Sequence, residues 1–414
     1  MKEYDIIVIG AGMSGLAAAS EIYKSNKNII VLEARDRIGG RLSSEILPDG
    51  VLFERGGELI HGTVNPMYRL VKELGIKIRE MKKEPTELSM IDTIQMFFVF
   101  MLLRIGIYPK PQIDENVMDY VNRLKFLPKS LHALLDHAGK DLEILDKISA
   151  MFIVDRIRQE LLTGEMYSEH DFVIQDGYIT LLNHLADELP IALSHEVRKV
   201  TWQKGQVVIT TNQGTFRAPK VVLTLPIPIL KKMDFEPALP KEKQVALSAH
   251  VAADIIKFLV PVQKKAFKTD QDQGQIADAK LVPIWWRRNT PCDKPDDRQM
   301  LVGWITGPYA RHYLSQAPEN ALESTLSELE AIVDTDLINR NDIIVQNWME
   351  DTFSAGTYCY IKPGFALHVV DDLASVLDNT LYFAGTATSS AVARGTAHGA
   401  YGSGLRVAKE VLGA

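Results

Sequence analysis

The sequence predicts an α/β fold, in which a Rossmann-like nucleotide-binding domain is interwoven with an α+β domain that contains a helical insertion. A strand, a glycine-rich turn, a helix and a second strand follow one another within residues 4–32. Residues 80–188 instead show helical and mixed periodicity. Residues 380–412 return to a strand, a glycine turn and a helix. Because the α/β pattern occurs in separate segments, we expect the first domain to be discontinuous.

Apolar periodicity indicates where the elements lie. Residues 4–9 predict a strand, residues 16–23 a helix and residues 29–32 a second strand, which together form one βαβ unit. A meander is predicted from strands at 197–202, 206–211 and 221–225, with an Asn-Gln-Gly turn between the last two. A second sheet and a covering helix are predicted at 255–304 and 319–333.

The composition is that of a folded protein with more than one domain. The 414 residues exceed the roughly 250–300 at which single cores stop growing. A net charge of −7 without a long run of like charge argues against a nucleic-acid partner. Two cysteines, Cys292 and Cys359, cannot build a disulfide framework and favour the cytoplasm, although a single bridge remains open.

No stretch of the sequence is long and apolar enough to predict a transmembrane anchor. Residues 96–103 are eight apolar residues closed by Arg104, against the roughly 20 that a spanning helix needs. We expect them to form a buried helix or the wall of a tunnel. Acidic Glu3 and Asp5 precede the first apolar run, which indicates a strand rather than a signal peptide.

The first turn, Gly-Ala-Gly-Met-Ser-Gly at residues 10–15, has the spacing that binds a dinucleotide. Gly10 allows the tight turn, Gly12 lets the backbone approach a pyrophosphate, and Gly15 lets the helix pack closely on the strand. Glu33 ends the second strand, where a carboxylate accepts hydrogen bonds from ribose hydroxyls and repels a 2′-phosphate. The unit predicts a bound adenosine diphosphate group.

Three motifs resemble those of FAD-dependent amine oxidases. Residues 33–41, Glu-Ala-Arg-Asp-Arg-Ile-Gly-Gly-Arg, resemble the family's ExxxRxGGR signature. Residues 53–62 resemble its second glycine motif, which ends in Ile-His-Gly in polyamine oxidases, and residues 381–386 resemble its closing FAGT motif. The resemblance covers residues 4–75, 170–260 and 345–412. It implies FAD rather than NAD, with Arg41 and Arg35 set against the diphosphate.

The resemblance also implies domain boundaries and a set of cofactor contacts. The FAD-binding domain would comprise residues 1–80, 190–260 and 345–414, and the substrate-binding domain residues 81–189 and 261–344. The residues assigned to FAD are Gly10, Gly12, Met13, Ser14, Gly15, Glu33, Ala34, Arg35, Gly40, Arg41, Gly57, Glu58, Val197, Gly385 and Thr386. No metal ligands are assigned.

Catalytic roles are implied for Lys257, Tyr358, His61 and Thr396. Lys257 matches the lysine that holds a water against the flavin N5 atom in relatives, and apolar flanking residues argue against a solvent-facing lysine. Tyr358 matches one wall of the aromatic cage of monoamine oxidases. His61 either acts at the site or satisfies a buried carbonyl. Glu58 either attracts a cationic amine or stays at the surface.

Two departures from the family pattern bear on cofactor and substrate. Thr357 stands where monoamine oxidases carry the cysteine that bonds to FAD, so non-covalent FAD is predicted, with Cys359 displaced by two residues. Thr396 stands where the second cage tyrosine is expected. Trp285 and Trp286 point to opposite sides of a predicted strand, so at most one faces the cavity, and core packing is expected for both.

The resemblance implies oxidation of a small-molecule amine by hydride transfer to flavin N5, with molecular oxygen as the acceptor and hydrogen peroxide as a product. An amino-acid oxidase, or a related dehydrogenase or desaturase, is the alternative, because Arg287, Arg288 and Arg311 are available to bind a carboxylate. A non-catalytic FAD-binding protein is the alternative of a different class. Either a monomer or a homodimer is expected.

Overall fold

The computed structural model describes residues 1–81, 90–124, 145–163, 170–269, 273–276, 279, 281–282, 284–288 and 298–413. The strands are β1 Lys2–Glu3, β2 Ile6–Ile9, β3 Ile29–Leu32, β4 Ser44–Ile46, β5 Leu52–Glu54, β6 Leu59–His61, β7 Ile78–Glu80, β8 Asp171–Ile174, β9 Ile191–Ala192, β10 Val197–Gln203, β11 Gln206–Thr211, β12 Gly214–Ala218, β13 Lys220–Leu223, β14 Asp234–Glu236, β15 His250–Ala252, β16 Ile255–Gln263, β17 Gln273–Gln275, β18 Ile284–Arg288, β19 Arg298–Thr306, β20 Ile344–Asn347, β21 Cys359–Ile361 and β22 Leu381–Phe383. The helices are α1 Met13–Tyr23, α2 Pro66–Glu73, α3 Met90–Ile105, α4 Val117–Arg123, α5 Ala150–Thr163, α6 Tyr178–Ala186, α7 Ile227–Lys232, α8 Lys241–Ala249, α9 Gly307–Leu314, α10 Pro318–Leu329, α11 Val369–Ala374 and α12 Ala397–Leu412.

A five-stranded parallel sheet forms the centre of the α/β part, in the order β22-β13-β2-β3-β9. All four residues of β2 are buried, as expected for a parallel strand covered on both faces. Ile6 and Val8 pack with helices α1, α6 and α12, whereas Ile7 and Ile9 pack with the neighbouring mixed sheet. The alternation of side chains along one strand therefore joins two hydrophobic cores.

The predicted βαβ unit is present, and its strands lie within the predicted segments. Helix α1 begins at Met13 rather than Leu16, because Gly12 in the glycine turn serves as its N-cap. The last strand and helix are also present, so the fold is of the mixed α/β class with a parallel sheet typical of nucleotide-binding domains. Segments more than 150 residues apart in sequence build this one sheet.

The predicted meander was partly wrong. Strands β10 and β11 are antiparallel neighbours, but the turn after β11 leads into β12, a strand that the sequence did not predict. The predicted third strand is β13, which pairs with β2 and β22 in the parallel sheet. The β10–β11–β12 hairpins form a second sheet in the order β1-β12-β11-β10-β14.

The second predicted sheet is present as an antiparallel sheet in the order β17-β18-β19-β16-β20. It has its own hydrophobic core, to which helices α9 and α10 contribute. Strand β16, which carries Lys257, pairs with β19 and β20 in this sheet. The predicted FAD-binding domain ends its second segment at residue 260, so strand β16 runs across that boundary. The domain division itself stays a prediction.

The described residues between 80 and 188 form helices, together with one strand that the sequence did not predict. Strand β8 pairs with β6 and β7, which places Asp171 directly opposite His61. Helix α3 contains the predicted apolar stretch, but Phe97 and Phe98 are 71% and 56% exposed, so the expectation of a buried helix was wrong. None of its described side chains lines the cavity, so a role as a tunnel wall is not supported either. Among the described residues, no helix has both the length and the apolar character needed to cross a membrane.

Candidate active site

One cavity of about 880 Å³ lies between the parallel sheet and the antiparallel sheet. All but one of the residues assigned from sequence line its wall, including Lys257, Tyr358, His61 and Thr396. The exception is Gly15, which lies behind the wall. A Cβ atom at Gly15 would stand 1.9 Å from the carbonyl oxygen of Gly10, so glycine is required for helix α1 to pack on the turn.

The N-terminus of helix α1 faces the cavity. Gly12, Met13 and Ser14 line the wall there, and no side chain caps the helix. The first backbone N–H groups of a helix lack internal acceptors and attract anions. The Ser14 hydroxyl lies 3.1 Å from the Ser403 hydroxyl, which also accepts a 3.0 Å hydrogen bond from the Gly385 N–H. This end of the cavity fits a phosphate group.

Glu33 and two arginines stand beside this helix end. The Glu33 carboxylate is buried and accepts hydrogen bonds from the N–H groups of Ala11, at 2.7 Å, and Arg35, at 2.9 Å. The Arg35 guanidinium binds the Asp351 carboxylate and the Ser354 hydroxyl. Arg41 donates to the carbonyl of Thr357, and burial lowers its pKa from the ordinary value. Sequence reasoning missed Asp351, because more than 300 residues separate it from Arg35.

Lys257 reaches the cavity from strand β16 with every N–H group engaged. Its ammonium donates to the carbonyls of Glu54 (2.7 Å) and Gly56 (3.0 Å) and to the Glu58 carboxylate (2.9 Å). An ammonium has three N–H donors, so these acceptors account for all of them. The nitrogen also lies 5.4 Å from the centroid of the Trp286 ring. These contacts hold the Lys257 side chain in one position.

Glu58 is the centre of a buried ionic cluster. Besides Lys257, its carboxylate accepts hydrogen bonds from Arg288 Nη1 (2.9 Å) and Trp286 Nε1 (3.0 Å). Burial alone raises a carboxyl pKa, but the charges and hydrogen bonds of Lys257 and Arg288 outweigh burial and lower the pKa of Glu58 to about 2. Because two cations already neutralise Glu58, it is poorly placed to attract a cationic amine.

His61 faces the cavity with a partner that the sequence did not reveal. Its Nδ1 atom lies 2.8 Å from the Asp171 carboxylate on the neighbouring strand. An ionised carboxylate only accepts, so Nδ1 carries the proton and the ring orientation is fixed. The His398 ring lies 6.3 Å away, and burial, with His61 and Arg156 nearby, lowers its pKa to about 4. His398 is therefore neutral near pH 7.

Tyr358 and Thr396 come together at one wall of the cavity. Gly395 has φ +82°, and a Cβ atom there would stand 3.2 Å from Cβ of Tyr358, so this glycine makes room for the tyrosine. The Thr396 hydroxyl donates to the carbonyl of Ala393 and accepts from the N–H of Gly399, so it caps helix α12. The hydroxyl hydrogen of Thr396 is therefore already donated to a protein acceptor.

Aromatic residues of the antiparallel sheet form a further wall. Trp285 lies in the core and Trp286 lines the cavity, so one of the two faces the cavity, as predicted. Trp286 also packs against a small hydrophobic cluster, so core packing describes it only in part. Trp304 on the next strand meets Trp286 edge to face, with centroids 6.2 Å apart. Trp304 was not selected from the sequence, because its cross-strand position depends on register.

The three arginines considered for carboxylate binding do not line the cavity within the described part of the chain. Arg287 donates to the carbonyl of Thr269, Arg288 joins the Glu58 cluster, and Arg311 pairs at the surface with Asp254. Arg156 and Arg394 line the wall instead. Sequence reasoning missed both, since neither belongs to a recognised motif.

Thr357 and Cys359 flank Tyr358 in the cavity wall. The Thr357 hydroxyl donates to the carbonyl of Ala253 at 3.0 Å. Cys359 is buried, and burial raises the pKa of its thiol to about 11. A thiol in this state is a poor nucleophile at neutral pH.

The sequence matches a known protein family and several characterised relatives along most of its length. The family model for flavin containing amine oxidoreductases matches residues 13–153 and 159–412. Lysine-specific histone demethylase 2 of Homo sapiens is 24% identical over 450 residues, which cover 99% of this chain and 54% of that protein. Polyamine oxidase 2 of Arabidopsis thaliana is 24% identical over 450 residues, covering 98% of this chain and 87% of its own. The chain spans little more than half the length of the histone demethylases that it matches.

Solved structures share the fold at low sequence identity. A triple mutant of putrescine oxidase with redesigned cofactor binding superimposes with a TM-score of 0.84, at 18% identity, over 99% of both chains. Cyclohexylamine oxidase from Brevibacterium oxydans superimposes with a TM-score of 0.81, at 18% identity, over 99% of this chain and 98% of its own. Since the family model spans nearly the whole sequence, the chain belongs to the flavin-containing amine oxidoreductase family.

Proposed function

We propose that this protein is an FAD-dependent amine oxidase. The observation that carries the proposal is one continuous cavity. It extends from an uncapped helix N-terminus beside Glu33 to a wall that holds Lys257, Tyr358 and Trp286. The polyamine, putrescine and cyclohexylamine oxidases among its relatives carry amine oxidation in their names.

The described residues fit FAD. The helix end at Gly12 and Met13 would hold the diphosphate, with Arg41 adding positive charge. Glu33 would accept hydrogen bonds from the adenosine ribose. The Gly385 and Thr386 loop and the Gly57 turn line the same cavity and would contact the remainder of the cofactor. Thr357 in place of a cysteine supports non-covalent binding, which acid precipitation tests by releasing the flavin into the supernatant.

FAD, when bound, would supply the redox chemistry as acceptor of the hydride from the α-carbon of the amine. Water would then hydrolyse the imine to an aldehyde or ketone with release of ammonia or an amine, and oxygen would accept the electrons as hydrogen peroxide. The protein supplies orientation and charge. Tyr358, Trp286 and Trp304 offer aromatic faces to the amine. The Lys257 ammonium places positive charge where negative charge develops.

The contacts of Lys257 restrict how it acts. Since its N–H groups are all occupied by protein acceptors, Lys257 can hold a water molecule only after releasing one of them. The contact with Gly56 is the longest of the three and faces the glycine turn of the cavity wall. We infer that Lys257 acts chiefly as a fixed cation and exchanges the Gly56 carbonyl for water when the site is assembled.

The test is anaerobic reduction of the purified yellow protein by a panel of monoamines, diamines and polyamines. We expect at least one amine to bleach the flavin. Lys257→Met should slow bleaching by about 10²-fold or more, because a preorganised charge at a reacting centre contributes about that much to the rate. Lys264→Met, an exposed lysine just after the same strand, is the matched control and should bleach at the parental rate.

Three results would count against the proposal. A colourless protein that takes up no FAD removes its basis. A yellow protein that no amine bleaches favours a non-catalytic flavin-binding role. Bleaching by amines without peroxide in air indicates a dehydrogenase that uses another acceptor. Parental bleaching by Lys257→Met would leave the amine oxidase intact and remove the role of Lys257.

A further inference from the structure

Arg394 is a cavity cation whose charge no carboxylate among the described residues neutralises by direct contact. In the described part of the chain its buried Nη1 atom has no hydrogen-bond partner, and its Nε atom donates to the Ser389 carbonyl at 3.3 Å. Burial lowers the pKa of the guanidinium from its ordinary value, and the Asp155 and Asp371 carboxylates act on it without forming an ion pair. An unpaired buried cation costs free energy, which a bound anion recovers.

Arg394 stands close to the wall that the amine is proposed to contact. The next residue is Gly395, which packs against Tyr358. The Arg394 guanidinium carbon lies 5.4 Å from the centroid of the Phe152 ring, and Phe152 also lines the cavity. Arg156, one turn along the same helix as Phe152, adds a second positive charge to this wall, although Glu160 pairs with it.

The acidic residues of the cavity do not offset this charge. Three acidic residues line the described wall. Glu33 belongs to the nucleotide end, Glu196 pairs with Arg198 next to Val197, and Glu58 is already held by two cations. A diamine or polyamine would bring a second ammonium to a wall with no uncommitted carboxylate among these residues. An amine that carries an anionic group would complement it.

We propose that Arg394 binds the carboxylate of the substrate, so that this protein oxidises amines that carry a carboxylate. The inference rests on the proposed amine oxidase function and assigns its substrate class. Aromatic faces at Tyr358 and Trp304 receive the carbon skeleton, and the Arg394 guanidinium pairs with the carboxylate.

The first experiment measures binding without turnover. Benzoate and hexanoate are titrated into the FAD-loaded protein and followed through the flavin absorption spectrum, with benzamide as the uncharged match for benzoate. We expect both carboxylates to bind. Arg394→Met should raise their Kd about 10- to 100-fold, the effect of losing a charge-assisted hydrogen bond, and Arg394→Lys should fall in between. Lys232→Met removes an exposed cation from the rim of the same cavity and should leave the Kd unchanged.

The second experiment measures selectivity between amines that differ in a carboxylate. The pairs are phenylalanine with phenethylamine and 6-aminohexanoate with hexylamine, which place the carboxylate near to or far from the amine. We expect a higher kcat/KM for the carboxylated member of at least one pair in the parent protein. Arg394→Met should reduce that preference about 10- to 100-fold, mainly through a higher KM for the carboxylated amine, whereas kcat/KM for the amine that lacks a carboxylate should not fall in the same way.

The inference is overturned if the parent protein binds neither carboxylate, or if Arg394→Met binds them as tightly as the parent. It is also overturned if the carboxylated amines are the poorer substrates in both pairs. Failure of the proposed function looks different, because then no amine of either kind bleaches the flavin while carboxylate binding remains measurable. If Arg394→Met does not retain FAD, Arg394→Lys and Arg394→Gln provide the same comparison.

Discussion

At the scale of single residues, the site depends on pairing between charges that are distant in sequence. Glu58 and Arg288 are 230 residues apart, yet both are almost fully buried and in direct contact. Glu54 lies four residues before Glu58 and is fully buried, but its pKa is shifted in the opposite direction. Burial raises the pKa of Glu54 above its ordinary value, and its Oε2 atom finds no hydrogen-bond partner among the described residues. The pKa values of two carboxyls on one short segment are therefore shifted in opposite directions.

Substitution by glutamine should distinguish these two carboxyls. Glu58→Gln leaves Lys257 and Arg288 without their shared counter-charge and should lower the free energy of unfolding by about 3 kcal/mol at pH 7. Glu54→Gln removes a carboxyl whose charged form burial disfavours, and the glutamine oxygen can still accept the hydrogen bonds from the Ser44 hydroxyl and the Tyr178 N–H, so its cost should be smaller. Urea unfolding of both variants, with FAD content measured alongside, checks this. Equal losses would contradict the assignment.

The pH dependence of the Glu58 effect has a definite sign. Because the pKa of Glu58 is lowered from 4.5 to about 2 on folding, its stabilisation is complete above about pH 5 and is lost as the pH falls toward 2. The stability difference between the parent and Glu58→Gln should therefore shrink between pH 5 and pH 3. For Glu54, whose pKa is raised, stability is instead lost as pH rises above the ordinary carboxyl range. A constant difference from pH 7 to pH 3 would show that Glu58 is not ionised in the folded protein.

At the scale of secondary-structure elements, close contact between helices α1 and α12 fixes the nucleotide end of the cavity. Gly404 permits that contact, because a Cβ atom there would stand 2.4 Å from the Ser14 carbonyl oxygen and 2.7 Å from Ala17 Cβ. Gly402, two residues earlier on the same helix, has no neighbouring atom within 4 Å of such a Cβ. Packing of α12 against α1 therefore requires glycine at position 404 but not at position 402.

Alanine at these two glycines should act in opposite directions. Gly404→Ala should push α1 from α12, lower stability by about 1–3 kcal/mol and weaken FAD binding, because the displaced turn carries the diphosphate site. Gly402→Ala should raise stability by about 0.5–1 kcal/mol, since alanine is the better helix former. Thermal unfolding and FAD titration of the two apoproteins measure both effects. Undiminished FAD affinity in Gly404→Ala would show that the helix contact does not shape the site.

The elements predicted well from sequence are those whose signal is local. The glycine turn at residues 10–15 and the apolar strands around it specify their own conformation. Periodicity also indicated strands β10, β11, β13 and β22 and helices α10 and α12. Strand β8 escaped prediction because it is short and its partner strands lie about 100 residues upstream. The exposed face of helix α3 was also missed, because an apolar sequence does not show which side of a helix meets the core.

At the scale of the whole molecule, the sequence predicted which residues surround the cavity better than it predicted their hydrogen-bond and ion-pair partners. Motif residues reached the wall because the family pattern preserves their positions. The partners Asp351, Asp171 and Arg288 could not be predicted as contacts, because each meets its mate only after separate sheets assemble. Arg394 belongs to no motif, and its unpaired charge is visible only once the burial of its guanidinium is known.

The cavity wall draws on both sheets, so FAD should stabilise the whole molecule rather than one half. Gly10 and Gly12 belong to the parallel sheet side, and Lys257, Trp286 and Trp304 belong to the antiparallel sheet, which has a separate hydrophobic core. A ligand that contacts both units raises the free energy of unfolding of each by mass action, by about 2.7 kcal/mol when free FAD is at 100 times its Kd.

Differential scanning calorimetry of the apoprotein across a series of FAD concentrations tests this coupling. We expect every unfolding transition to move to higher temperature as FAD increases, and separate apoprotein transitions to merge when the site is saturated. Fluorescence of the cavity tryptophans should follow the same midpoint, because Trp286 and Trp304 leave the site when the antiparallel sheet unfolds. A transition that FAD does not shift would show that the cofactor contacts only one unit, and the shared cavity would then not be the binding site.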